Sequence, residues 1–163
     1  MIISSVSEDK KIEKRISITP EITKKYVNLG LKVILSENYG LHLGIDDNEF
    51  ENSGADIISD EKEIINKSDL MIQLGLLSDD KLSSMKENQT IIGVLNPYNN
   101  KDKIQTLNNK KINIFSLELL PRITRAQGMD ILSSQANLAG YKAVIDSFSS
   151  FEKAIPMMMT AAG

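Results

Sequence analysis

Cysteine and tryptophan are absent from this chain of 163 residues, and histidine occurs once, at His42. The missing thiols exclude disulfides and thiolate metal sites. One histidine excludes a histidine-based metal cluster within a single chain. Carboxylates do gather between Glu37 and Asp56, but without EF-hand spacing, so no metal site is expected. No apolar run approaches the roughly 18 to 20 residues that span a bilayer. The opening MIISSVSEDKK lacks a basic region followed by an apolar stretch and does not read as a signal peptide. The formal net charge is only -3, which argues against a nucleic-acid surface. Missing too is G-x-G-x-x-G, the turn by which a dinucleotide-binding fold holds a pyrophosphate. The expectation is a cytoplasmic chain with no direct membrane insertion and no nucleic-acid partner.

What is present suits a globular α/β domain: 41% hydrophobic residues, 25% charged, and enough length for a core. Strands are predicted at Ile2 to Val6, Leu31 to Leu35, Asp69 to Leu74, Thr90 to Leu95 and Ile112 to Leu117. The nearly continuous apolar runs DLMIQL and TIIGVL suit strands buried on both faces. A helix follows Thr19, which is a good N-cap; Pro20 fits the first position, Glu21 the first turn, and Gly30 the end. Further helices are predicted at Asp60 to Lys67, Ser78 to Lys86 and Asn99 to Asn108. Glu37 to Asp56 reads as a turn-rich loop with a short helix around Asp47 to Asn52. This alternation predicts a flavodoxin- or Rossmann-like fold: a parallel five-stranded sheet, order 2-1-3-4-5, with helices on both sides.

The stretch from Leu119 to Phe151, LLPRITRAQGMDILSSQANLAGYKAVIDSFSSF, organises the rest. Its loop lies beyond the carboxyl end of the last predicted strand, where open α/β sheets gather ligands. Arg122, Arg125, Gln127 and Asp130 supply two cations, an amide and a carboxylate, which can hold a polar or anionic ligand. A long helix follows. Leu132, Ala136, Ala139 and Ala143 recur at steps of four and three, with Gly140, Val144 and Phe148 beside them, as one apolar stripe. The small residues suggest close backbone packing. Local chemistry alone is equally met by a buried scaffold helix after a solvated loop.

The run PRITRAQGMDILSSQANLAGYKAVID, followed by PMMMTAAG, resembles the proton-translocating NAD(P) transhydrogenase alpha subunits. Their pattern is close to P-R-I-S-R-A-Q-x-M-D-x-L-S-S-x-x-N-x-A-G-Y. The likeness extends over the whole chain, weakly before Glu118, and the related alanine dehydrogenases share the architecture. It implies that residues 1–163 form an N-terminal domain of alanine dehydrogenase/transhydrogenase type. The long helix would lead to a dinucleotide-binding domain absent from this chain, across the Pro156 to Met159 run, and the chain alone would be inactive. NAD(H) would be held jointly with the missing domain, and NADP(H) would sit on a partner subunit. The reaction implied is hydride transfer from NADH to NADP+, coupled to proton translocation. Arg122 would hydrogen-bond the nicotinamide end, and Asp130 and Ser133 would orient its carboxamide. Gln127 would reach toward the second nucleotide, Arg125 would steady the loop or approach the cofactor, and Thr124 would complete the set. Gln127 and Asp130 would be the catalytic residues. The partners implied are a second copy of the chain, the NADP(H)-binding subunit and membrane subunits, which would hold it peripherally at the inner membrane.

Two departures separate the family's branches. Alanine dehydrogenases need a lysine on the middle strand and a histidine after the next one. Alignment of DLMIQL puts Gln73 at the lysine position, and alignment of TIIGVLNP puts Asn96 at the histidine position. Neither can do the acid-base work of the residue it replaces. Direct transfer between two nicotinamides needs neither. Arg15 matches an arginine by which the dehydrogenases grip a carboxylate, and also reads as a surface residue; His42 reads as structural. An alanine dehydrogenase-like domain and a non-catalytic dimerisation or regulatory module are the alternatives.

Overall fold

Six parallel strands, rather than the expected five, build the larger share of the molecule. In the computed structural model, which describes residues 1–153, the chain divides into two compact units, Met1–Leu120 and Pro121–Gly163. The Pro156 to Met159 run lies outside the described residues. The strands are β1 (Ile2–Ser5), β2 (Lys32–Ser36), β3 (Ala55–Ile58), β4 (Leu70–Ile72), β5 (Thr90–Gly93) and β6 (Asn113–Ser116). Their order across the sheet is β3-β2-β1-β4-β5-β6. The five expected strands therefore stand in the order expected of them. The sixth is β3, in a segment read as the end of a loop. It is four residues long and an edge strand, and Asp56 interrupts its apolar run to pair with Lys32 on β2 at 2.7 Å. An edge strand with a charged position carries little of the signal that marks a buried one.

Alternate strand residues feed two cores, one on each face. On one face Ile3, Val33, Leu35 and Ala55 pack with Ile18, Tyr39 and Phe50. Helices α1 (Pro20–Asn28) and α2 (Asp47–Asn52) cover it. On the other, Ile34, Met71 and Ile91 pack with Ile64, Ile65, Leu82 and Leu107. Helices α3 (Glu61–Lys67), α4 (Asp79–Ser83) and α5 (Lys101–Asn109) supply that layer. The expected cap of α1 is in place, the Thr19 hydroxyl accepting the Ile22 N–H at 3.4 Å, and Asp60, expected as the first residue of its helix, instead caps α3 by accepting the Lys62 N–H at 2.9 Å. The helix predicted from Ser78 to Lys86 shortens to α4. The Ser83 and Ser84 hydroxyls both turn back onto the Asp80 carbonyl, competing with helix propagation, and Met85 drops into the core at 4% exposure.

The second unit opens with a tight 3-10 turn, Thr124–Met129, where a loop was expected. It continues as α6 (Ile131–Ser150), the long helix. No residue of α6 is buried, and a Cβ placed at Gly140 would meet nothing within 4 Å. The expectation of one apolar stripe with close backbone packing is thus corrected. At 3.6 residues per turn the small Ala136, Ala139, Gly140 and Ala143 share one sector, while Leu138, Tyr141, Ile145 and Phe148 share the opposite one. A helix apolar on two sides has weak amphipathic periodicity.

Candidate functional site

The strand order reverses between β1 and β4, and side chains converge at the carboxyl ends of these two strands. Gln73, the residue after β4, is 2% exposed. Its Oε1 accepts the Ser5 hydroxyl at 2.7 Å and the Val6 N–H at 2.9 Å. Its Nε2 donates to the Val6 carbonyl at 3.2 Å and to Glu8 Oε1 at 3.4 Å. An amide offers two acceptor directions and two donors, so this one is fully engaged. Ser5 also meets the buried Tyr39 hydroxyl at 2.8 Å, and that hydroxyl takes the Ser17 N–H at 3.0 Å. No donor of Gln73 is left for a substrate carbonyl.

Glu8 reaches across the same gap. Its Oε1 accepts the Leu74 N–H at 2.6 Å and the Gly75 N–H at 3.3 Å. Burial pushes its carboxyl above the usual carboxylate range; the two N–H donors pull the other way, and the Glu13 charge adds to the rise. Glu8 borders a crevice of about 620 Å³ walled by the segments after β1, β4 and β5. Glu8, Ser5 and Tyr39 were not singled out by sequence reasoning. Only their shared place at the carboxyl end of the sheet reveals them.

Arg15 is held by its near neighbour Glu13 through two contacts, Nε at 2.8 Å and a terminal nitrogen at 2.6 Å. That pair lowers the Glu13 carboxyl and raises the Arg15 guanidinium. Asn96, at the histidine position, adopts a left-handed backbone with φ 47°, a conformation asparagine tolerates better than most residues. Its N–H donates to Glu118 Oε1. His42 Nε2 lies 2.7 Å from the Lys14 carbonyl, a structural contact.

In the second unit, Asp130 caps α6. Its carboxylate accepts the Ser133 N–H at 3.0 Å and the Ser133 hydroxyl at 2.6 Å. The Ser133 hydroxyl, then its N–H, hold the Asp130 carboxyl below its usual value, and the Arg122 charge assists from a distance. Arg122 makes no ion pair with Asp130 among the described residues; the carboxylate is turned to the helix start instead. Thr124, Arg125 and Gln127 line the exposed 3-10 turn. The segment therefore brings Asp130 and Ser133 together and leaves Arg122, Arg125 and Gln127 exposed. Two guanidinium groups, an amide and a capped carboxylate within one short segment are chemistry that can hold a polar or anionic ligand.

A six-stranded parallel sheet in this order, crossed by helices on both faces, defines a Rossmann-like α/β protein. Residues 5–139 match the family "Alanine dehydrogenase/PNT, N-terminal domain", and the chain belongs to that family. It is 39% identical to a NAD(P) transhydrogenase subunit alpha protein of Rhodospirillum rubrum, over all of this chain and 44% of that protein. The crystal structure of transhydrogenase from Sinorhizobium meliloti superposes with a TM-score of 0.89 at 37% identity, over all of this chain and 48% of that one. Alanine dehydrogenase 1 of Staphylococcus aureus is more distant, 27% identical over 89% of this chain and 38% of that protein. The chain thus spans less than half the length of these relatives.

Proposed function

We propose that this chain is the N-terminal portion of the NAD(H)-binding component of a proton-translocating transhydrogenase. The relation to the transhydrogenase alpha subunit over the whole chain carries the reading. Gln73, with all four hydrogen-bonding positions engaged inside the fold, supports it against amino-acid dehydrogenation. The bound dinucleotide supplies the hydride. Arg122 and Arg125 bind its polar groups, Thr124 adds a hydroxyl, and Asp130 with Ser133 orients the carboxamide. Gln127 reaches toward NADP(H) on a partner subunit. Membrane subunits complete the assembly and a second copy of the chain pairs with it, so that the domain works peripherally at the inner membrane. No helix among the described residues is long and apolar enough to cross a membrane.

The test uses the complete enzyme assembled with its NADP(H)-binding subunit. Gln127→Asn keeps the amide but draws it back by one methylene. Misplacement by about 1 Å can cost roughly 100-fold in rate. Stopped-flow hydride transfer should therefore slow far more than equilibrium NADH affinity falls. An unchanged transfer rate would remove Gln127 from the site.

A further inference from the structure

Between β1 and α1 the chain makes one well-tied turn. The Asp9 carbonyl accepts the Ile12 N–H at 2.9 Å and the Glu13 N–H at 2.8 Å, and the Asp9 carboxylate accepts the Lys11 N–H at 3.0 Å. Glu13 Oε1 accepts the Arg15 backbone N–H at 2.9 Å and its Nε–H at 2.8 Å. Both acids of residues 9–15 are therefore engaged in shaping the turn. The cations differ: Arg15 is tied to Glu13, whereas Lys10, Lys11 and Lys14 are exposed and their ammonium groups form no ion pair or hydrogen bond among the described residues. Beside them Ile12 stands out at 86% exposure. The contact of His42 Nε2 with the Lys14 carbonyl joins this turn to the 3-10 turn Leu41–Leu43, whose two leucines are both exposed. Two segments fastened together thus carry three exposed aliphatic side chains and three unpaired lysines, in a chain whose net charge is -3.

We propose that this turn is a docking surface for an anionic lipid layer, met at the level of the headgroups. A turn already fixed by its own hydrogen bonds loses little freedom on contact. Lysine brought near an anionic leaflet is attracted to it, and an aliphatic tip adds apolar contact at the boundary. A protein partner fits less well: protein interfaces are depleted in lysine and enriched in arginine, and the arginine of this turn is already tied to Glu13. Three lysines and a few aliphatic side chains give weak, reversible attachment. That suffices to orient a domain that other subunits hold near a membrane. The proposed peripheral position supplies the setting, but lipid binding by the isolated chain is independent of any role of Gln127 in hydride transfer.

The experiment sediments the 163-residue chain with phosphatidylcholine vesicles, with and without phosphatidylglycerol, at low salt and with lipid in large excess. The chain should associate with the anionic vesicles alone. Sodium chloride at about 0.5 M, where screening acts within a few ångströms, should release it. Lys10→Ala, Lys11→Ala and Lys14→Ala should each lower the partition about fivefold, and all three together about 100-fold. Ile12→Ser should weaken it several-fold at unchanged charge. Lys32, Lys67 and Lys111 lie at or just before the amino ends of β2, β4 and β6. Their joint replacement by alanine removes the same charge at the other end of the strands and should change the partition less than about threefold. Every substituted side chain is exposed, and thermal melts verify that the variants fold. Wild type that ignores anionic vesicles overturns the proposal. So does an equal loss in the two triple variants, and so does undiminished binding by Ile12→Ser.

Discussion

Glu8 shows how burial and hydrogen bonding compete at one carboxyl. Burial is the larger influence, so the folded protein prefers the protonated form relative to the unfolded chain, despite the Leu74 and Gly75 donors. A carboxyl raised in the fold contributes stability that is present below its ordinary value, 4.5, and lost as pH rises through the raised value. Glu8→Gln keeps an acceptor oxygen without the charge. Its melting temperature should match wild type in acid and exceed it progressively above that range, which thermal melts across a pH series would read. A variant that melts lower at neutral pH would show the ionised form to be the favoured one. Gln73 presents the opposite case, a neutral group with every capacity engaged. Gln73→Leu strands the Val6 N–H and the Val6 carbonyl at the end of β1, whereas the Ser5 hydroxyl keeps Tyr39 and Ser17. At about 1 to 3 kcal/mol for each buried group left without a partner, a loss of about 2 kcal/mol or more is expected in urea unfolding. A loss under about 1 kcal/mol would mean that water replaces the amide.

Among the elements, β5 leaves no room toward its neighbour β4 at its last residue. Gly93, its last residue, is buried, and a Cβ there would collide with the backbone carbonyl of Gln73. Backbone cannot swing aside as a flexible side chain can, so Gly93→Ala must force β4 and β5 apart. Overpacking of this kind costs about 1 to 3 kcal/mol or more; a clear fall in melting temperature is expected, and a neutral substitution would contradict the packing. Elements differ in how plainly the chain announces them. β4 and β5 lie in apolar runs because both their faces are covered. Thr19 and Pro20 mark the start of α1 because their roles are local. β3 is obscure because Asp56 answers to Lys32 on another strand, and the early end of α4 depends on two serines whose choice between solvent and backbone is not written in periodicity. The Arg122 to Asp130 segment is recognisable through its likeness to a family. The Glu8–Gln73–Ser5 cluster is not, since Ser5 and Gln73 stand 68 positions apart and only the topology joins them.

For the whole molecule, the proposed function carries an expectation about incompleteness. The residues that would hold a nicotinamide are present, but the chain contains no glycine-rich turn for the pyrophosphate. The 163-residue chain should therefore show little or no NADH binding by calorimetry. About micromolar affinity would mean that the cofactor site is complete within it.

The strand order also bears on how the molecule comes into being. Of the strands, β1 is synthesised before the others and forms the middle of the sheet, with β2 on one side and β4 on the other. The Ile2 N–H and its partner Asp69 are 67 positions apart. At translation speeds of about 5 to 20 residues per second, that interval is roughly 3 to 13 s. Through it, one edge of β1 waits with its ladder unmade, open to any other extended segment. A nascent chain stalled short of β4 would expose this edge. Loss of β1 would divide the sheet into two halves with no strand between them, whereas loss of β3 or β6 would trim a border.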